Sequence, residues 1–402
     1  MRFDYSITSE NPREPNQGKF GGSSLTNLII SAATPTTSLS AGIPKADVKP
    51  SQIDDKTIAF LRRTYREYYF RHHDDVEIPS MIQSREFGYT PFGKGMIRHL
   101  SYATSGELAA DLVKQAPSSV FCSNATYSNP TLPMDEKGWK GAELIFDIDA
   151  SAIPTACRTK HSFWTCKACG KVIRSAERPA RCPKCEGTST AQLHWSCPEC
   201  LGAAKDHASR LIGFLTKDFG VSGEGITVYF SGNRGYHLHV DDGRFEEMEP
   251  SARAEVANYM KGTGLVRPPR SDRVPGEGGG WPERVATSGG KDQPQRLETV
   301  INAFSSRIDE SVTTDIHRIF RMPGTLHGNS GLLKIRIHDL ERFRPEYDPV
   351  VLGEDEVTIS VQGSPSFSLK GRVFGPYSSE EPELPTYAAV YLMTKGLGKV
   401  AD

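Results

Sequence analysis

Residues 225–240 read GITVYFSGNRGYHLHV, and this stretch decides the fold. Two apolar, β-branched and aromatic runs flank Ser231–Gly235, a short turn with two glycines, which predicts an antiparallel hairpin. In its second arm His237 and His239 share one face, opposite Tyr236, Leu238 and Val240. Upstream, residues 141–150 read GAELIFDIDA, where a period of two sets Asp147 and Asp149 on one face and Phe146 and Ile148 on the other. Downstream, 312–328 reads VTTDIHRIFRMPGTLHG. There Ile316, Ile319 and Phe320 suggest a short helix face that Pro323 stops. In 332–337, LLKIRI, Leu333, Ile335 and Ile337 alternate with Lys334 and Arg336, as in a strand with one polar face. Residues 201–220, LGAAKDHASRLIGFLTKDFG, read as a helix between such strands. The fold class is therefore α/β in the broad α+β sense, with mixed sheets and helices.

Around these elements, 402 residues suffice for one large domain or two or three smaller ones. Lys and Arg number 48 against 49 Asp and Glu, so a uniformly basic nucleic-acid coat is excluded. A mean hydropathy of -0.44 agrees with the absence of any run long and apolar enough to span a bilayer. The first residues carry no apolar signal-peptide stretch, so the chain is expected to be soluble and intracellular. Residues 1–52, rich in Ser, Thr, Gly and Pro, are expected to form a flexible extension. A helix then begins near Asp54. It carries Arg62, Arg63, Arg66 and Arg71 among Tyr65, Tyr68, Tyr69 and Phe70. The simpler reading is a charged solvated face opposite a core stripe; the sharper one is a surface for phosphates and stacked bases. Residues 265–297, dense in Pro and Gly, are expected to form a long loop within a domain spanning 53–402.

Seven of the eight cysteines fall between 157 and 200. In an intracellular chain this argues for metal before disulfide. Cys166 and Cys169, then Cys182 and Cys185, form two CxxC pairs, the spacing of a zinc ribbon over 164–187. Gly170 after one pair and Pro183 inside the other suit the turns. Outside the ribbon stand Cys157, His161, Cys197 and Cys200. If the ribbon is a folded insertion its ends meet, and these four complete a second site, making a module of 155–202. Both sites would have four protein ligands and no open position, hence a structural role. His194 is a spare ligand candidate, and Cys122 stands apart as a buried thiol.

Asp147 and Asp149 can reach the same hard cations and leave positions open for substrate oxygens. Alone, such a pair is equally well a solvated edge of a sheet. The preceding apolar run implies a buried strand, where unpaired carboxylates would be costly without a cation. Asp315 is the candidate third carboxylate, with Arg318 and Arg321 after it. The hairpin turn offers backbone N–H groups, Ser231, Arg234 and His237, donors suited to a triphosphate.

FDIDA, SGNRGYH, VTTDIHRIFRMPGTLHG and the upstream REFGY of 85–89 occur in one order over about 55–345. Together they resemble the small catalytic subunit of archaeal and eukaryotic DNA primase. The resemblance implies the primase catalytic fold with an inserted zinc module, and a nucleotidyltransferase with DNA-directed RNA polymerase activity that makes short primers in replication. It implies that Asp147, Asp149 and Asp315 bind Mg²⁺ or Mn²⁺, and that Ser231, Arg234 and His237 bind the nucleotide triphosphate. Arg85 and His327 would contact the incoming nucleotide, and Arg321 a phosphate. It further implies zinc as a structural cofactor and a heterodimer with a large subunit bearing an iron–sulfur cluster. Single-stranded DNA would be the template and NTPs or dNTPs the substrates, in the cytoplasm at the nucleoid and with no membrane. The extension of about 50 residues has no counterpart in the resemblance, and the inner ribbon looks like an insertion found in some archaeal members. Two other readings are a repair-type primase-polymerase of the same superfamily and a non-catalytic zinc-ribbon protein that binds nucleic acid. The second has no need of the aspartates or the SGNRGYH turn.

Overall fold

Phe146, Ile148, Tyr236 and Leu238 are all fully buried, and they alternate with the polar residues of two adjacent strands. In the computed structural model, which describes residues 53–193, 195–265, 280–287 and 294–402, these strands are Leu144–Asp149 and Gly235–Val240. They lie antiparallel, with His237 opposite Asp147 and Gly235 opposite Asp149. Ile226–Phe230 and Ile335–Ile337 complete a four-stranded sheet in the order 335–337, 226–230, 235–240, 144–149. The helix Pro198–Lys217 buries Leu201, Ala204, Ala208, Leu211 and Leu215 at spacings of three and four, and packs against the second hairpin arm. One face of the sheet is thus closed by helix. The carboxylates and imidazoles stand on the other.

A second four-stranded sheet runs in the order Ile319–Arg321, Ser119–Ser123, Phe87–Thr90, Ile97–Leu100. Here the helix expected around Ile316, Ile319 and Phe320 gives way. Glu310–Thr314 is helical, but Ile319–Arg321 is a strand paired with Ser119–Ser123. Three residues alternating Ile, Phe and Arg satisfy a strand edge as well as a helix face, and the available partner strand decides. Lys334, expected on the polar face, is fully buried instead. Its ammonium donates to the Arg321 carbonyl at 2.8 Å and lies over the Tyr229 ring.

The first helix, Asp55–His72, begins where expected, and the Asp54 carboxylate accepts the Thr57 N–H at 2.7 Å as its cap. Leu61, Tyr65, Tyr68 and Tyr69 are buried while Arg62, Arg63, Arg66 and Arg71 are exposed, so the simpler reading of this helix holds. The tyrosines also do positional work. The Tyr65 hydroxyl donates to the His327 carbonyl and that of Tyr68 to the Gly324 carbonyl, which pins the PGTLHG loop.

Within 265–297 the loop expectation fails for part of the stretch. Gly280–Thr287 is a helix and Pro294–Phe304 begins another. Trp281 is buried against Phe214 and Gly262, and Arg284 bridges Asp218 at 2.7 Å, contacts that outweigh the local Pro and Gly content. Residues 1–52, 266–279 and 288–293 lie outside the described residues, as does His194. Among the described residues no helix is long and apolar enough to cross a membrane.

Glu86 and Lys137 have no exposed surface and meet at 2.5 Å, with Arg98 on both Glu86 oxygens at 3.0 and 3.1 Å. Burial pushes the Glu86 carboxyl up, but the hydrogen bonds from Arg98 and Lys137 outweigh it and hold the pKa below the ordinary value. Lys137→Met is expected to cost about 1.5–3 kcal/mol in urea unfolding, because it removes one charged hydrogen bond of the buried Glu86 while Arg98 stays on both of its oxygens. Arg181→Met, which removes an exposed pair 4.0 Å apart, is expected to cost about 0–1 kcal/mol in the same measurement.

Candidate active site

The two sheets face one another across a cavity. Asp147, Asp149, Ser231, Arg234 and His237 line it from one side; Phe121, Arg318, Phe320 and Arg321 line it from the other, with His327 from the loop. The hairpin turn is built for close approach. A Cβ at Gly235 would stand 2.0 Å from the Ile148 carbonyl oxygen, so only glycine lets the turn sit against the aspartate strand. Gly232 has φ +84°, in the left-handed region. The Ser231 hydroxyl accepts the Gly235 N–H at 3.1 Å, which braces the turn and leaves its own proton to donate elsewhere.

Each aspartate has a cationic or imidazole neighbour. Arg234 donates to Asp149 at 2.8 Å, and His237 Nε2 stands 3.5 Å from Asp147. Burial, reinforced by the charges of Lys334, His239 and Arg321, pushes the His237 pKa well below the ordinary value, so it is neutral at pH 7. His327 is depressed likewise, by burial first and then by Arg321. Its Nδ1 lies 3.0 Å from the Asn329 amide and accepts that N–H, so the neutral ring carries its proton on Nε2. Burial lowers Arg321 to about 10, still charged. Among the described residues, three buried polar atoms here have no hydrogen-bond partner: Arg234 Nη1, Arg321 Nη1 and His237 Nδ1. Unpaired buried guanidinium donors are expensive. Two of them converging on one cavity fit an anion with several oxygens, which is the chemistry of a polyphosphate.

A sequence model of the DNA primase small subunit matches residues 191–338, from the last strand of the ribbon past the PGTLHG loop. The chain is 36% identical over 374 residues to the DNA primase small subunit PriS of Cenarchaeum symbiosum, covering 86% of this chain and 100% of the relative. It is 35% identical over 376 residues to PriS of Nitrosopumilus maritimus, with 87% and 100% covered. Against PriS of Thermoplasma acidophilum the identity is 32% over 368 residues, with 84% and 98% covered. The chain belongs to the DNA primase small subunit family. It is a catalytic primase subunit, a nucleotidyltransferase of DNA replication.

Two expected site residues of this primase sit elsewhere. Arg85 is 3% exposed and does not line the aspartate cavity. Its guanidinium hydrogen bonds go to the carbonyls of Ser80, Ser123 and Asn124, to the Ser80 hydroxyl and to Glu143. Its donors are engaged by these acceptors, and it lines a second cavity that shares Phe320 and Arg321 with the first. Glu143 is pushed up by burial, yet the hydrogen bond from His239 and the charge of Arg85 hold it at about 2. Asp315 is also absent from the cavity lining among the described residues. Its carboxylate accepts the His317 N–H at 3.0 Å and lies 3.9 Å from Arg318.

A carboxylate that the sequence reading did not consider is Asp309, which like Asp315 is not among the residues lining the cavity. Its own N–H donates to the Asp147 carbonyl at 2.9 Å, so the chain at Asp309 lies against the aspartate strand itself. Its side chain caps the helix Glu310–Thr314, accepting from the Ser311 N–H and hydroxyl. The signal was present as Asp309-x-Ser311 before the VTT run, an N-cap pattern.

The cysteines gather as two sets of four, Cys166, Cys169, Cys182 and Cys185, and Cys157, His161, Cys197 and Cys200, each with ligand atoms within 4.8 Å of one another. The Sγ pairs Cys166–Cys185, Cys169–Cys182 and Cys157–Cys200 are 3.6, 3.7 and 3.5 Å apart, and Cys200 Sγ is 3.4 Å from His161 Nε2. The edge of a tetrahedron with zinc–sulfur bonds of 2.3 Å is about 3.7 Å, so both donor sets fit zinc. The ribbon strands Phe163–Cys166, Val172–Arg174 and Thr190–Leu193 form one sheet, and Gly170 turns at φ +70°. Cys197 stands at the N-cap position of the helix Pro198–Lys217 and Cys200 lies in its first turn, where the helix dipole favours thiolate. Cys122 is buried, and burial pushes its thiol up to about 12, the state of an inert thiol.

Proposed function

We propose that this primase small subunit synthesises short RNA primers on single-stranded DNA, with Asp147 and Asp149 as the core of its catalytic cation site. The observation that carries this is the pairing of those carboxylates with unpaired Arg234 and Arg321 donors in one cavity. Hard carboxylate oxygens suit Mg²⁺ or Mn²⁺, which when bound supplies charge neutralisation at the triphosphate and acidifies the attacking 3′-hydroxyl. The protein's own groups do the remainder. Arg234 and Arg321 bind phosphate oxygens, His327 donates from Nε2, and the Ser231 hydroxyl and turn amides hold the triphosphate in place. Arg85 acts through position, holding Ser123 and Asn124 at the cavity's edge. The two cysteine sets hold zinc as structural centres. The partner in this reading is a large primase subunit, and the enzyme acts in the cytoplasm at the nucleoid.

For the third carboxylate, Asp309 is favoured over Asp315 by its backbone contact with Asp147. Asp309→Asn is therefore expected to lower synthesis on an unprimed single-stranded template by about 100-fold or more, and Asp315→Asn by less than about tenfold. The reverse order would restore Asp315 to the triad. The same assay, run from NTPs with no 3′ end supplied, tests the proposed activity itself: an enzyme that only extends existing ends, or a protein that only binds, gives no product.

A further inference from the structure

A lysine with no exposed surface ties the two sheets together. Lys334 directly precedes the strand Ile335–Ile337 of the aspartate sheet. Its ammonium donates at 2.8 Å to the carbonyl of Arg321, the last residue of the strand Ile319–Arg321 in the other sheet. A second neighbour is His239 Nε2 at 3.4 Å, and a third is the Tyr229 ring, whose centroid is 4.8 Å away. His239 Nδ1 lies 3.3 Å from a Glu143 carboxylate oxygen, so the ring donates there and keeps its Nε2 lone pair for the ammonium. An ammonium has three N–H donors, and these three neighbours account for them. Lys334 has none left to offer a substrate.

The backbone of the same residue tightens the hold. The Lys334 N–H donates to the Thr325 carbonyl at 3.0 Å, and its carbonyl accepts the Gly324 N–H at 2.8 Å. One residue thus grips the segment 321–325 at three points. That segment leads from Arg321 to His327, both of which line the aspartate cavity. Arg321 sits on a three-residue strand at the edge of its sheet. Its guanidinium lies over the Phe121 ring, 5.0 Å from the centroid. Stability alone does not call for lysine here. A buried ammonium loses its hydration, the carbonyl and imidazole that receive it are not anions, and methionine would fill the space without that cost.

We propose that Lys334 is a positioning residue for nucleotide addition: it touches no substrate, and by holding the Arg321 carbonyl it places the Arg321 guanidinium against the triphosphate. This rests on the reading of Arg321 as a phosphate ligand, so Arg321→Ala is measured alongside as the check of that reading.

The test is steady-state kinetics of the full-length protein on an unprimed template. The variants are Lys334→Met, Lys334→Gln, Arg321→Ala and the double variant Lys334→Met with Arg321→Ala. Lys334→Met is expected to raise the KM for NTP about tenfold and to weaken pyrophosphate inhibition in parallel, with the KM for template unchanged. Lys334→Gln, which keeps a donor on a shorter stem, should fall between Lys334→Met and the unsubstituted protein. Arg321→Ala is expected to raise the KM for NTP at least as much, and on that background Lys334→Met should add less than about twofold. If Lys334→Met alone does not fold, the same cycle is read with Lys334→Gln. A folded Lys334→Met with an unchanged KM for NTP, while Arg321→Ala raises it, overturns the proposal alone. An unchanged KM in Arg321→Ala overturns the phosphate-ligand reading and the proposal with it. Effects that multiply in the double variant make Lys334 independent of Arg321 and overturn the proposal too. So does a KM for template that rises with that for NTP, or loss of the fold in both Lys334 variants, since either makes the lysine structural.

Discussion

Asp147→Asn or Asp149→Asn is expected to reduce primer synthesis by about three orders of magnitude, roughly 4 kcal/mol of transition-state stabilisation, with the fold intact. The substitution keeps shape and removes one negative charge. Both side chains face the cavity at 21% and 28% exposure, so neither carries core packing. The two variants should differ in a second respect. Asp149→Asn also weakens the 2.8 Å contact with Arg234, freeing that guanidinium, whereas Asp147→Asn leaves an amide beside a neutral His237. Asp149→Asn is therefore expected to bind pyrophosphate no more weakly than the unsubstituted protein even as synthesis fails. Activity on an unprimed template and the melting temperature read the two effects separately. Near-normal synthesis by either variant with divalent cation present would remove these aspartates from the chemistry.

The zinc sites carry the second large effect. Elemental analysis is expected to return two zinc per chain, one for each set of four ligands. Binding free energy at such a site is folding free energy, on the order of 10 kcal/mol for small zinc modules. Losing Cys182 and Cys185 to serine should remove one zinc and loosen the ribbon, whose sheet of 163–166, 172–174 and 190–193 is its own small unit. Losing Cys197 and Cys200 should do more. These residues start the helix Pro198–Lys217, and its Leu211, Phe214 and Leu215 are almost wholly buried under the catalytic sheet. The outer variant is thus expected to show a lower melting temperature than the inner one and to lose primer synthesis, with the inner variant retaining part of it. A stoichiometry of one in the unsubstituted protein would sink the two-site arrangement. Equal melting temperatures for both variants would show that the outer site does not tie module to core.

Several features were legible in the chain because they are local. The alternation of LIFDID and of YHLHV sets which side chains share a face, and the backbone permits no other answer once those runs are strands. The hairpin followed from a glycine-containing turn between two such runs. The double CxxC spacing followed from the geometry of a knuckle, and even the outer site followed once the ribbon was taken as an insertion with its ends together.

What lay beyond the sequence was contact between distant segments. Ile319–Arg321 became a strand because Ser119–Ser123 offered an edge about 200 residues away, a choice that no period over three residues contains. Trp281 and Arg284 made helix out of a stretch poor in helix formers, because Phe214 and Asp218 were there to receive them. Lys334 looked solvated by alternation and is buried, where its ammonium donates to the Arg321 carbonyl and lies over the Tyr229 ring. Asp309 and Asp315 are indistinguishable as letters; the backbone bond from Asp309 to Asp147 separates them. Residue type and spacing determined which chemistry this protein carries. Tertiary packing decided which of several equivalent side chains reach it, because long-range contact energies outweigh local propensities of a few tenths of a kcal/mol per residue.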